Sequence, residues 1–368
     1  MIKIPLFKVY MNPYVDDELL KTVHSGYIGQ GSKVEEFENK IKERINNPFF
    51  LSLSAGTHGL HLALRDIGIG LGDEVISTPL TCTATNWPIL MQQGVIVWSD
   101  IQKDTLNIDP KSIEKRINEK TKAVIAVDWG GGVCDYDEIK KITHPYKIPI
   151  IQDSAHAFGA SYKGNPIGSC INADYTMFSF QAIKTLNMGG DGGGLCLNNI
   201  NSYKAVKLAR WYGISREGLK RDMRCEEAID TWGLKYNPND ISATIGLKNL
   251  EEIDRLLNIG KDNASYYMKE LNNIDGIKLL RCNEGSTFWI FTILVEDRTS
   301  FASMMGEYGI HISRVHERND IHPCVTKFKR DDLENLEWII SRYCAIPVSW
   351  YVSQEDREYI VQCIKRGW

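Results

Sequence analysis

Long apolar runs are missing from this chain. Among its 368 residues, no stretch reaches the roughly 18 apolar residues a membrane-spanning helix needs, so no span is expected. The opening segment, MIKIPLFKVYMNPYVDDELL, lacks the apolar centre and small-residue cleavage site of a secretory signal. Lysine and arginine never gather into a run, and the formal net charge is -4, which argues against nucleic acid as a partner. The nine cysteines (82, 134, 170, 196, 225, 282, 324, 344 and 363) are odd in number, scattered, and form no C-x-x-C. A disulfide framework or zinc site is therefore disfavoured, and a reducing cytoplasm is the expected location. The eight histidines include no H-E-x-x-H, so no metal is expected. There is no G-x-x-x-x-G-K-[ST], and no G-x-G-x-x-G follows the first core strand, which disfavours a nucleoside triphosphate or dinucleotide site.

With 43% hydrophobic and 24% charged residues, the composition is that of an ordinary soluble protein. Strand and helix patterns alternate from 50 to 200, which predicts an α/β fold with a mainly parallel sheet and helices on both faces. Residues 1–250 read as a large cofactor-binding domain with an N-terminal arm. Residues 251–368 read as a smaller C-terminal α+β domain, with strands predicted over 276–280 and 287–295.

The stretch 149–197 carries the chemistry. PIIQD puts Asp153 at the carboxyl end of a short apolar strand, the edge at which open α/β sheets bind ligands. DYTMFSF is a second strand, after which QAIK delivers Lys184 to the same edge. MGGDGGG then reads as a glycine-rich turn. An acid and a lysine converging there suggest pyridoxal 5'-phosphate, which needs a lysine for its Schiff base and an acidic partner for its pyridinium nitrogen. Earlier, strand 49–54 is followed by Ala55-Gly56-Thr57 and an apolar helix. A helix N-terminus of this kind offers free N–H groups and a favourable dipole to a phosphate. Taken singly, each feature has a plainer explanation: a surface lysine, a helix-capping aspartate, an ordinary helix start.

Together the motifs D-x-A-H-A-x-G-A, S-F-x-x-x-K and G-D-G-G resemble those of the DegT/DnrJ/EryC1/StrS family of sugar aminotransferases, over nearly the whole chain. The resemblance implies fold type I and pyridoxal phosphate. It assigns Lys184 the Schiff base and catalysis, Asp153 the pyridine nitrogen, and His156 the position facing the ring hydroxyl. Gly56, Thr57 and Ser179 would hold the phosphate, together with Asn237 reaching across a homodimer. The loop around Tyr27 and the dense polar segment carrying His316, Arg318 and His322 would line the sugar pocket. The implied reaction moves an amino group from glutamate to a nucleotide-linked keto-sugar, by family habit a 4-keto-6-deoxy sugar. The products would be amino sugars for surface polysaccharide such as lipopolysaccharide O-antigen, or for antibiotics. Two departures stand out: the glycine turn is a residue longer than usual, and Cys82 occupies a position where many relatives stack an aromatic ring on the cofactor. Alternatives are a sugar dehydratase on the same scaffold, which retention of Lys184 opposes, a cofactor-binding regulator without turnover, and a nicotinamide enzyme.

Overall fold

The computed structural model describes residues 3–216 and 229–368. Cys225 lies outside the described residues. Seven strands form the main sheet: β1 (Phe50–Leu53), β2 (Glu74–Ser77), β3 (Val95–Trp98), β4 (Thr121–Val127), β5 (Ile150–Asp153), β6 (Tyr175–Ser179) and β7 (Gly193–Leu197). Their spatial order is β1-β7-β6-β5-β4-β2-β3. The five strands from β6 to β3 pair in parallel, while β7 runs antiparallel to both of its neighbours. The architecture is the α/β sheet of fold type I.

Side-chain alternation explains why the strands read as almost unbroken apolar runs. Along β4, Ala123 and Ile125 enter one core while Val124 and Ala126 enter the other. A sheet covered on both faces needs apolar residues at every position, not at alternate ones. Helix Gly56–Ile67 covers the first face with Leu60 and Leu64, and helix Ser32–Ile45 covers the second with Val34, Phe37 and Ile41.

The glycine stretch differs from the turn read in the sequence. Gly193 and Gly194 are strand residues paired with Leu53 and Ser52. A Cβ on Gly193 would fall 2.4 Å from the Gly56 nitrogen, and one on Gly194 would fall 2.2 Å from the Phe50 ring. Close backbone approach at the helix start is what requires glycine there.

Helix Ile253–Glu270 leads to a second sheet of β8 (Ile277–Leu279), β9 (Phe291–Val295) and β10 (Tyr343–Ile346). Ile293, Phe301, Met305 and Ile360 help fill its own core. The strand predicted over 287–295 begins only at Phe291. Residues 287–290 instead dock onto the large sheet: the Thr287 amide donates to the Gly131 carbonyl at 3.1 Å, and its hydroxyl donates to the His156 carbonyl at 3.0 Å. No helix among the described residues is long and apolar enough to cross a membrane.

Helix Ser32–Ile45 has no side-chain cap of its own. The buried Asp240 carboxylate supplies one, accepting from the amides of Gly31 (2.7 Å), Lys33 (3.3 Å) and Val34 (3.1 Å). Asp240→Ala would leave those donors unmatched, at a cost of about 1–2 kcal/mol by analogy with lost helix caps. Urea unfolding should show a lower midpoint with an unchanged slope, and an unaltered midpoint would remove Asp240 from this role.

Candidate active site

The register of β5 and β6 builds the site. Asp153 pairs with Met177 at the carboxyl end of the parallel strands. The chain leaves β6 at Ser179, bends at 180–183, and brings Lys184 back over the same edge, its amide bonded to the Gln181 carbonyl at 2.9 Å. Asp153 is buried, and two donors hold its carboxylate. The Thr85 hydroxyl donates at 2.7 Å and the Ala155 amide at 3.1 Å, one to each oxygen, which leaves each oxygen a free lone pair. Burial pushes the carboxyl up, while Thr85, Ala155 and the positive Lys184 pull against it.

Lys184 is half-buried as a residue, with its ammonium enclosed. Burial brings its pKa down to about 8, opposed by Cys82 and Asp153. Its Nζ lies 3.7 Å from the centre of the Trp289 ring. On the same indole, His156 stacks at 4.0 Å with 22° between planes. His316 lies parallel to His156 at 5.6 Å. Burial drives both imidazoles to the neutral form: His156 is held well below its ordinary value, and His316 is brought down to about 4, with Lys184 adding to both effects. The site therefore presents one amine and one carboxylate, flanked by neutral rings.

The phosphate-binding expectation centres on Gly56. The first turn of its helix has no side-chain cap. A Cβ on Gly56 would lie 3.2 Å from Ser179 Cβ, so the helix start and Ser179 are immediate neighbours. Thr57 follows in the same turn, half-buried. A buried acid with open lone pairs, a lysine of reduced basicity and an uncapped helix start beside a hydroxyl match the three recognition elements of pyridoxal phosphate.

Asn237 follows Tyr236, whose carbonyl accepts from the Ser54 amide at 2.9 Å just before the Gly56 helix start, while Tyr27 comes from the N-terminal segment. Asn237 and Tyr27 line an open groove of about 1170 Å³ that also holds Lys33, Trp211, Arg216 and Lys235. Tyr27 is exposed, and Asn237 accepts from Lys235 Nζ at 2.7 Å. The structure gives Arg318 a different task from the expected sugar contact. Its guanidinium is buried and engaged by Asp320 at 2.7 and 2.6 Å and by Glu337 at 2.5 Å. This braces the loop whose Asn319 bonds the Thr81 carbonyl (2.8 Å) and Asn86 (2.8 Å). His322 meets the edge of Trp87 at 5.8 Å.

Sequence reading missed Thr85, Trp289 and Asn319. Thr81 and Thr85 share a 2.8 Å hydrogen bond in the turn that starts helix Thr83–Met91, so hydroxyls four residues apart were the available signal for Thr85. Trp289 carries no local signal, because its segment has the composition of a strand. A further buried carboxylate, Asp128, accepts from Ser154, Gln152, Tyr136 and the Cys134 amide beside the Asp153 strand. Burial pushes it up to about 6 against those donors.

Sheet, lysine and acid define a fold type I enzyme. The chain belongs to the DegT/DnrJ/EryC1/StrS aminotransferase family, whose model matches residues 11–365. Pyridoxal phosphate is the cofactor of that family, and the residues above fit it. The crystal structure of AtS13 from Actinomadura melliaura is similar at 39% identity and TM-score 0.95, with 100% of both chains covered. That of the sugar aminotransferase CalS13 from Micromonospora echinospora is similar at 36% identity and TM-score 0.93, covering 99% of this chain and 100% of that one. Spr1654 from Streptococcus pneumoniae, solved in its PLP form, is 27% identical with a TM-score of 0.90, covering 99% of this chain and 98% of that one.

Only a neutral amine attacks the cofactor carbonyl. Lys184 titrates near 8, so capture of pyridoxal phosphate should quicken as pH rises to about 8 and level off above it. Stopped-flow absorbance across this range checks the point. A profile still climbing to about pH 10 would show an ordinary, solvated lysine.

Proposed function

We propose that this protein transfers an amino group from glutamate to a nucleotide-linked keto-sugar, with a 4-keto-6-deoxy sugar as the leading candidate. The observation that carries the reading is the enclosed Lys184 amine, brought down to about 8, at one sheet edge with the buried Asp153. Sugar specificity is supported by the likeness to CalS13 over 99% of the chain. Nucleotide linkage is supported by the groove that sets Lys33, Arg216 and Lys235 beside Trp211 and Tyr212, cations for a diphosphate and rings for a base.

In this reading Asp153 faces the pyridine nitrogen and keeps a proton there, with Thr85 and Ala155 fixing the carboxylate plane. Gly56, Thr57 and Ser179 grip the phosphate and set the ring's orientation. When bound, pyridoxal phosphate supplies an electron sink for a carbanion and a carrier for the amino group. Lys184, whose pKa of about 8 leaves a working share of free amine near physiological pH, takes and returns the proton at the substrate carbon. His156 and His316, neutral and stacked, wall the reacting centre and limit water. His316 and His322 are the side chains offered to the sugar. Arg318 supports their loop.

Excess glutamate added to the yellow holoenzyme should move its visible band towards the near ultraviolet, and a keto-sugar nucleotide should restore it. Lys184→Ala should show no visible band of the lysine-bound cofactor. A protein that takes up no pyridoxal phosphate would sink the whole reading, and uptake with no response to glutamate would sink the donor assignment.

A homodimer completes the site in this proposal. Tyr27 and Asn237 line one open groove, and the exposed apolar side chains Met11, Tyr14, Val23 and Ile28 accompany Tyr27 on the N-terminal segment. Lys184→Ala and Asn237→Ala chains, each impaired alone, should regain activity when refolded together, because a mixed dimer holds one intact site. Failure to regain any, with mixed dimers verified by mass, would place both residues in the same chain's site.

A further inference from the structure

Trp289 is buried to 3% exposure and belongs to the segment 287–290 that docks onto the large sheet. Two contacts tie it to the catalytic lysine and its segment, and two stacked rings hold it in place. Its indole face lies 3.7 Å from Lys184 Nζ. Its Nε1–H donates to the carbonyl of Ile183, the residue before that lysine, at 2.9 Å. Its ring stacks on His156 at 4.0 Å, and Phe7 stacks on it at 5.0 Å, so the indole plane is fixed. An aromatic face attracts a cation through its quadrupole, and more strongly where water is excluded.

We propose that Trp289 is the docking platform of Lys184 whenever that amine is not covalently engaged. It holds the ammonium at a set place between proton transfers and offsets part of the cost of enclosing it. The inference rests on Lys184 being the reactive lysine. Trp289 is a positioning residue: it touches the amine and takes no proton. The charged and titratable groups around Lys184 are Asp153 and Cys82, which favour the ammonium, and His156 and His316, which are neutral. Substituting Trp289 removes none of these groups, although His156 loses its stacking partner.

The platform leaves a signature that does not depend on turnover. In the full-length protein freed of cofactor, the pH midpoint for acylation of Lys184 can be read by peptide mass spectrometry. Removing an attraction for the cation while burial persists lowers that midpoint. Trp289→Leu should lower it by about half to one unit, and Trp289→Phe, which keeps an aromatic face, by less. An unmoved midpoint, or one that rises because water enters, would overturn the proposal. Should Trp289→Leu fail to fold, the unmodified indole serves instead. The Trp289 Nε1–H NMR resonance should titrate with the lysine midpoint and stay still in Lys184→Met, and a resonance that ignores the lysine would overturn the proposal equally. Loss of the cofactor-binding reading would show separately, as failure of the wild type to take up pyridoxal phosphate.

Discussion

Enclosing an amine beside a carboxylate is the constraint on which this site depends. A lysine in water is almost wholly protonated near neutral pH and a poor nucleophile. Burial costs the ammonium more than the free amine, which is why Lys184 comes down to about 8. Asp153 and Cys82 limit the fall, so the amine remains able to hold a proton as well as release it. The sheet secures the pairing. Asp153 ends β5, the Lys184 bend follows the adjacent parallel β6, and one register brings both to the same edge.

Distant segments converge to keep that edge rigid. Thr85 fixes the Asp153 carboxylate and shares a hydrogen bond with Thr81. The Thr81 carbonyl accepts from Asn319, whose neighbour Arg318 is locked by Asp320 and Glu337. Trp289 arrives from just before β9 and touches both His156 and Lys184. Two segments beyond residue 280 thus act on one acid and one amine. The loop 315–322, read in the sequence as a polar substrate wall, is divided by the structure. Arg318 and Asn319 brace it, while His316 faces the rings of Trp129 and His156.

Much of this was legible in the sequence because the signals were local. Doubly covered strands gave continuous apolar runs, and D-x-A-H-A with S-F-x-x-x-K located Asp153 and Lys184. What stayed hidden depends on tertiary approach. Gly193 and Gly194 looked like a turn, because no local pattern shows that the Gly56 backbone and the Phe50 ring press on them. Residues 287–290 share the apolar, β-branched and aromatic make-up of the strand they precede, so the docking of Trp289 left no trace in periodicity. Arg318 was read as a sugar-pocket candidate, and its pairing with Glu337, nineteen positions away, left no local sign. For Cys82, sequence and structure agree only that a small thiol lies near Lys184.

The most direct measurement is reduction of the holoenzyme with borohydride, followed by peptide mapping of the trapped cofactor. A single adduct on the peptide carrying Lys184, absent from Lys184→Ala, is the expected result. An adduct on any other lysine, or none in a protein saturated with pyridoxal phosphate, would contradict the assignment of the amine around which this site is built.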